Sequence, residues 1–184
     1  NDRAAAITGA MPLAAPGLVA PGGLTGKGEI VGLADSGLDG GRLDDLHPDL
    51  QSAPGQMPKV VMLKSWADRE LPDDPVGHGT HLAGIIAGSG AASDGRYRGI
   101  ASGASIYFQG LLSAGGELAP PGELARLFRP AYEAGVRIHV NAWGGGPNSY
   151  RLISSQIDSF VHENPDFLPI FGAGNNGPVE GTLT

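Results

Sequence analysis

The chain contains no cysteine among its 184 residues, which excludes disulfides, thiolate metal sites and a cysteine nucleophile. Basic residues are scarce as well. Twelve Lys and Arg stand against 19 Asp and Glu, a net charge of −7, and no basic stripe breaks the pattern, so no nucleic-acid partner is expected. No apolar run approaches the roughly 18 residues that a membrane-spanning helix needs, so no membrane partner is expected either. The start, Asn1-Asp2-Arg3-Ala4, has neither an initiator Met nor a signal-peptide pattern, and it reads as a processing site or an artificial start. What the chain has in quantity is glycine and proline, 31 and 15 residues, where ordinary usage of the pair is roughly 12%. They fall between apolar runs, so they read as tight turns and close backbone approaches rather than disorder. The length suits one domain with a substantial core.

A Pro- and Gly-rich lead-in occupies residues 1–28, and an alternating pattern follows over 29–184. Residues 29–35 form a short apolar run ending on Asp35, and 60–63 form another of the same kind. Helical spacing begins in a Gly-rich turn and runs over 81–88, which makes His78 a first-turn residue. The pattern then repeats, with strand over 104–109, helix over 121–134, strand over 136–141, helix over 150–163 and strand over 167–173. Strands apolar on both faces and alternating with helices imply an α/β fold, a doubly wound parallel sheet with helices on both faces. Function in such sheets collects at the carboxyl ends of the strands, where Asp35, Asn141 and Gly172-Ala173-Gly174-Asn175 all fall.

Taken singly, these residues are ambiguous. Asp35-Ser36-Gly37 also makes an Asx-type turn, and Gly174-Asn175-Asn176-Gly177 an ordinary tight turn. His78 and His81, at i and i+3, have the spacing of metal ligands, but Gly79 stands where a metalloprotease helix carries Glu, and no third ligand is evident. The acidic loops over 39–49 and 68–74 read either as solvated or as holding structural calcium, without regular ligand spacing, so the metal assignment stays open.

Together they are specific. Asp-Ser-Gly closing an apolar strand, Gly77-His78-Gly79-Thr80-His81-Leu82-Ala83-Gly84 opening a helix, and Gly172-Ala173-Gly174-Asn175-Asn176-Gly177 after a later strand resemble the subtilisin-like serine proteases, the subtilases. The order Asp, His, Asn, Ser is that family's order, and the first three occur here. Residues 28–35, 137–144 and the Asn1-Asp2 start are most similar to the larger bacterial alkaline subtilases, the oxidatively stable alkaline protease group.

The resemblance implies the amino-terminal part of a subtilisin-like catalytic domain, acting on polypeptides and secreted. Asp35 then orients His78, His78 is general base and acid, and Asn175 is the oxyanion donor. Leu112-Ser113-Ala114-Gly115 and Ala142-Trp143-Gly144 flank an extended substrate, and Gly144 and Gly145 leave room for its side chain. Ala142 stands where the family more usually has Ser, and Trp143 reads equally as an ordinary core aromatic. No cofactor is implied for catalysis.

One part is missing. The family's nucleophile sits on a Gly-Thr-Ser-Met-Ala-type segment, and Gly181-Thr182-Leu183-Thr184 puts Leu183 where the hydroxyl belongs, too soon after Asn175. The serine is therefore expected beyond Thr184 or on a second chain, leaving these residues inactive alone. The alternative is a pseudoprotease that binds peptides or serves as a scaffold; intact Asp35, His78 and Asn175 weigh against it. A five-stranded sheet ending here is expected to leave an unpaired edge and partly uncovered apolar faces.

Overall fold

In a computed structural model, which describes residues 2–182, five parallel strands form one sheet. In chain order the elements are α1 (Asp2–Ile7), α2 (Ala10–Ala14), β1 (Ile30–Asp35), β2 (Val60–Ser65), α3 (His78–Ala87), β3 (Ser105–Gly110), α4 (Ala125–Glu133), β4 (Ile138–Asn141), α5 (Leu152–Glu163) and β5 (Leu168–Phe171). The strand order is β2-β3-β1-β4-β5, all pairs parallel, which places β1 and β3 at the centre. These central strands are the ones buried on both faces, as their unbroken apolar runs require.

Side-chain alternation divides the core in two. Val31, Leu33, Ile106 and Phe108 face α3, meeting Ala83, Ala87 and Leu50. Ala34 and Tyr107 face the other way, onto Leu127, Phe128 and Ala131 of α4 and Phe160 of α5. Helices therefore pack on both faces, with α3 over β1 and β3 on one and α4 and α5 on the other. On the second face Phe128, Phe160, Phe167 and His139 stack with ring centroids 5.1–5.9 Å apart. His139 is fully buried and its Nε2 lies 2.7 Å from Gln109 Oε1, while the Gln109 amide donates to Leu127 O. Burial pushes the His139 pKa down to about 3. Gly32 makes room for this ring: a Cβ there would lie 2.5 Å from its Cδ2.

At the amino end of the sheet, half-buried Lys59 donates to the carbonyls of Ala87, Ser102 and Ala104, joining the approach to β2, the end of α3 and the entry to β3. Its pKa is lowered by the same burial.

Element boundaries fall slightly inside or beyond the sequence reading for local reasons. Helix α4 starts four residues later than expected: Pro120-Pro121-Gly122 stays outside it, and Gln156 Oε1 accepts the Leu124 N–H at its start, which has no partner within the helix. The lead-in contains two short helices that its Pro and Gly content did not suggest; the Ala-rich stretch of α1 accounts for the first.

Candidate active site

Parallel pairing aligns the strand ends. Asp35 is in register with Gly110, and Ala34 with Asn141, which in turn pairs with Phe171. The loops leaving β1, β3, β4 and β5 thus begin at one edge.

The turn after β1 and the start of α3 meet backbone to backbone at this edge. A Cβ on Gly79 would sit 2.3 Å from Gly37 O, and one on Gly37 would sit 2.1 Å from Asp73 O, so only glycine permits the approach. Gly77 enters the helix at φ 80°, in the left-handed region. His78 follows immediately.

The consequence is a short contact: His78 Nδ1 lies 2.7 Å from Asp35 Oδ1. Against a carboxylate, that nitrogen carries the proton, which leaves Nε2 as the free acceptor. The Asp35 side chain is 1% exposed and that of His78 54%, so the acid is sealed in the core while the imidazole reaches the surface. Asp35 Oδ1 also accepts the Ser36 N–H at 2.8 Å, whereas Oδ2 is buried without a hydrogen-bond partner among the described residues.

Residues that the sequence reading missed surround the pair. Asp74 Oδ1 accepts from the Ser36 hydroxyl at 2.7 Å and the Gly77 N–H at 2.9 Å, and Oδ2 from the Thr80 N–H at 2.8 Å and hydroxyl at 2.7 Å. Thr80 Oγ1 in turn accepts the Asp39 N–H. A carboxylate shortly before a Gly-led helix was the available signal, since such groups satisfy first-turn N–H donors.

The remaining expected site residues are spread around the edge. Asn175 is exposed in the loop after β5, preceded by Gly174 at φ 86°. Leu112-Ser113-Ala114-Gly115 lies in a tight reversal: Leu112 bridges Leu118, and Ser113 N–H donates to Glu117 O. Leu112 is buried with its N–H on Ser36 O, and Ala114 N–H donates to Asp68 Oδ1. Ala142 and Trp143 are half-buried, and Trp143 stacks edge-on against Phe171 at 5.3 Å. Trp143, Gly144 and Gly145 line a cavity of about 410 Å³ with Leu118, Ile157 and Phe171, so Trp143 serves core and cavity wall at once.

His81 does not join His78. It lines a separate cavity of about 420 Å³ with His47, Asp49 and Tyr97. Among the described residues, no group of three or more His, Asp or Glu is arranged to hold a metal ion. In the acidic loops Asp39 accepts the His47 N–H, Asp49 the Ala92 N–H, and Asp73 pairs with Arg69, which lowers its pKa.

The sequence pattern of the Subtilase family matches residues 26–184. The chain belongs to the subtilase family. Among its relatives, this subtilase is 39% identical over 174 residues to the serine protease AprX of Bacillus subtilis (strain 168), covering 87% of the chain and 36% of AprX. It is 35% identical to the serine protease/ABC transporter B family protein tagB of Dictyostelium discoideum, covering 83% of the chain but 9% of that protein. The chain therefore spans about a third of AprX or less of these relatives. Fervidolysin from Fervidobacterium pennivorans, a keratinolytic enzyme related to subtilisin, superposes with a TM-score of 0.55 at 26% identity, covering 84% of the chain and 22% of fervidolysin. The Clostridium perfringens CspB protease, at 22% identity, shares the fold with a TM-score of 0.63 over 83% of the chain and 36% of CspB.

Proposed function

We propose that this subtilase chain supplies the acid, base and oxyanion donor of a serine endopeptidase, within a catalytic core over 29–184 preceded by a lead-in over 1–28. The observation that carries the reading is the 2.7 Å contact between sealed Asp35 and exposed His78, whose Nε2 is left free to take a proton. Asp35, His78 and Asn175 are the proposed catalytic residues. The nucleophilic serine is carried by a segment beyond Thr184 or by a second chain. Among the described residues, no serine or threonine hydroxyl hydrogen-bonds the His78 ring. Thr182 donates to Val179 O instead, and Leu183 and Thr184 lie outside the described residues.

In the proposed reaction the serine oxygen attacks the carbonyl carbon of an extended polypeptide while its proton passes to His78 Nε2. Asp35 holds the tautomer and stabilises the imidazolium. The Asn175 amide donates to the oxyanion, and His78 returns the proton to the leaving amine, giving the acyl-enzyme. Water then repeats the sequence and frees the serine. No cofactor enters these steps, and any structural calcium in the acidic loops stands outside them. Asn175→Ala is expected to lower kcat by roughly 10²–10³, a figure carried over from subtilisin, where this donor was measured, rather than obtained from this geometry. An unchanged kcat assigns the oxyanion site elsewhere.

The substrate groove is proposed between residues 112–115 and 142–145, with the Trp143, Gly144 and Gly145 cavity taking a side chain. Secretion is part of the proposal; one relative of this chain is named the minor extracellular protease Vpr of Bacillus subtilis. Among the described residues no helix is long and apolar enough to cross a membrane. The test is incubation of the intact protein with an unfolded polypeptide such as reduced casein. Cleavage into peptides supports an endopeptidase, whereas recovery of the bound polypeptide uncut supports a peptide-binding pseudoprotease.

A further inference from the structure

We infer that Asp74 is a positioning residue for the Asp35–His78 pair, because it draws the Ser36 hydroxyl proton away from Asp35 and leaves Asp35 Oδ1 to His78. Its catalytic consequence rests on the protease reading above; its effect on the Asp35–His78 bond does not.

The Ser36 hydroxyl accepts the Gly79 N–H at 3.0 Å and has a single proton to give. Two carboxylate oxygens compete for it, Asp74 Oδ1 at 2.7 Å and Asp35 Oδ1 at 3.1 Å. The first distance is the optimum for an O–H donor and the second lies outside its usual range, so Asp74 takes the proton. Asp35 Oδ1 then carries two donors, the Ser36 N–H at 2.8 Å and His78 Nδ1 at 2.7 Å, which match its two lone pairs. A third donor on that oxygen competes with His78 and disperses the negative charge that holds the imidazolium.

Asp74 is suited to this task because its own valence is filled. Ser36 and Gly77 occupy Oδ1, and the Thr80 N–H and hydroxyl occupy Oδ2, so four donors meet about four acceptor sites. The same carboxylate thereby fastens the first turn of α3, on which His78 stands, to Ser36 in the turn that follows Asp35. With Asp74 removed, the nearest remaining acceptor for the Ser36 proton is Asp35 Oδ1.

The experiment compares Asp74→Ala, Ser36→Ala, the double variant and Thr80→Val in the intact protein. It reads the proton resonance of His78 Nδ1–H by NMR, kcat/KM on a peptide substrate and the melting temperature. Asp74→Ala is expected to move the resonance upfield and to lower kcat/KM about tenfold, mostly in kcat, the factor that one hydrogen bond of ordinary net strength is worth. Adding Ser36→Ala to it is expected to return the resonance toward the parent position. Thr80→Val is expected to lower the melting temperature and leave the resonance in place, which separates fastening the helix from tuning the acid.

Ser36→Ala alone removes one oxygen, so it keeps the question decidable even where Asp74→Ala does not fold. An unmoved resonance is expected. A downfield shift shows that Ser36 had been donating to Asp35 and overturns the role of Asp74, as does an Asp74→Ala resonance that stays put or is not returned by the double variant. If the parent fails to label with a fluorophosphonate, the protease reading falls and kcat/KM with it, while the resonances still decide for or against Asp74.

Discussion

Gly79 shows how much of this site is set by a single missing atom. Its hydrogen occupies the space in which a Cβ would meet Gly37 O at 2.3 Å, and that backbone cannot give without shifting Asp35. Gly79→Ala is therefore expected to cost about 2–3 kcal/mol in denaturant unfolding and to lengthen the His78–Asp35 contact. Unchanged stability means that the turn and helix are not packed as described. His139 makes a second prediction at this scale. Its pKa in the folded protein is pushed down to about 3 from the ordinary 6.5, so between those values the unfolded chain binds more protons than the folded one. The stability this group contributes is fully present above about pH 6.5 and is lost as pH falls toward 3, on the order of 4–5 kcal/mol in all. Urea titrations at pH 6.5 and 5 are expected to differ by about 2 kcal/mol, and His139→Leu to flatten that slope by about one proton. A slope that survives the substitution places the acid sensitivity elsewhere.

At the scale of elements, the legible parts were those whose signals are local. Five apolar runs interrupted by glycine announced five strands, and the parallel α/β architecture followed from their lack of alternation. Asp35 at a strand end and His78 in the first turn of a helix were readable because motif and element coincided. Asp74 was not, since its role depends on Ser36 of the turn after β1 meeting Gly77 and Thr80 at the start of α3, and a carboxylate in an acidic loop looks the same whether solvated or saturated. Nothing in residues 112–115 themselves revealed the bridge from Leu112 to Leu118, which depends on a partner six residues on. His139 sits in a stretch that reads as plain strand; its burial against Gln109 and Phe128 is set by tertiary packing alone.

At the scale of the whole chain, one face of the sheet is partly uncovered among the described residues. Helix α3 packs on β1 and β3, so beyond them Ile138, Leu168 and Ile170 on the same side of β4 and β5 remain 44%, 56% and 44% exposed. A parallel sheet ordinarily has both faces covered, and this apolar ground adjoins the half of the edge from which Asn175 emerges. Residues 1–184 by themselves are accordingly expected to self-associate in sedimentation velocity, and replacing Leu168 and Ile170 with Thr to raise the monomer fraction. A monodisperse, cooperatively melting parent contradicts that expectation and argues for a self-sufficient domain. Fluorophosphonate labelling of the intact protein tests the proposed chemistry most directly, because the reagent reacts with a serine only when a base takes its proton. The account predicts labelling of the intact protein at a serine outside residues 1–184, abolished by His78→Ala; an unlabelled intact protein, or labelling that persists without His78, contradicts it.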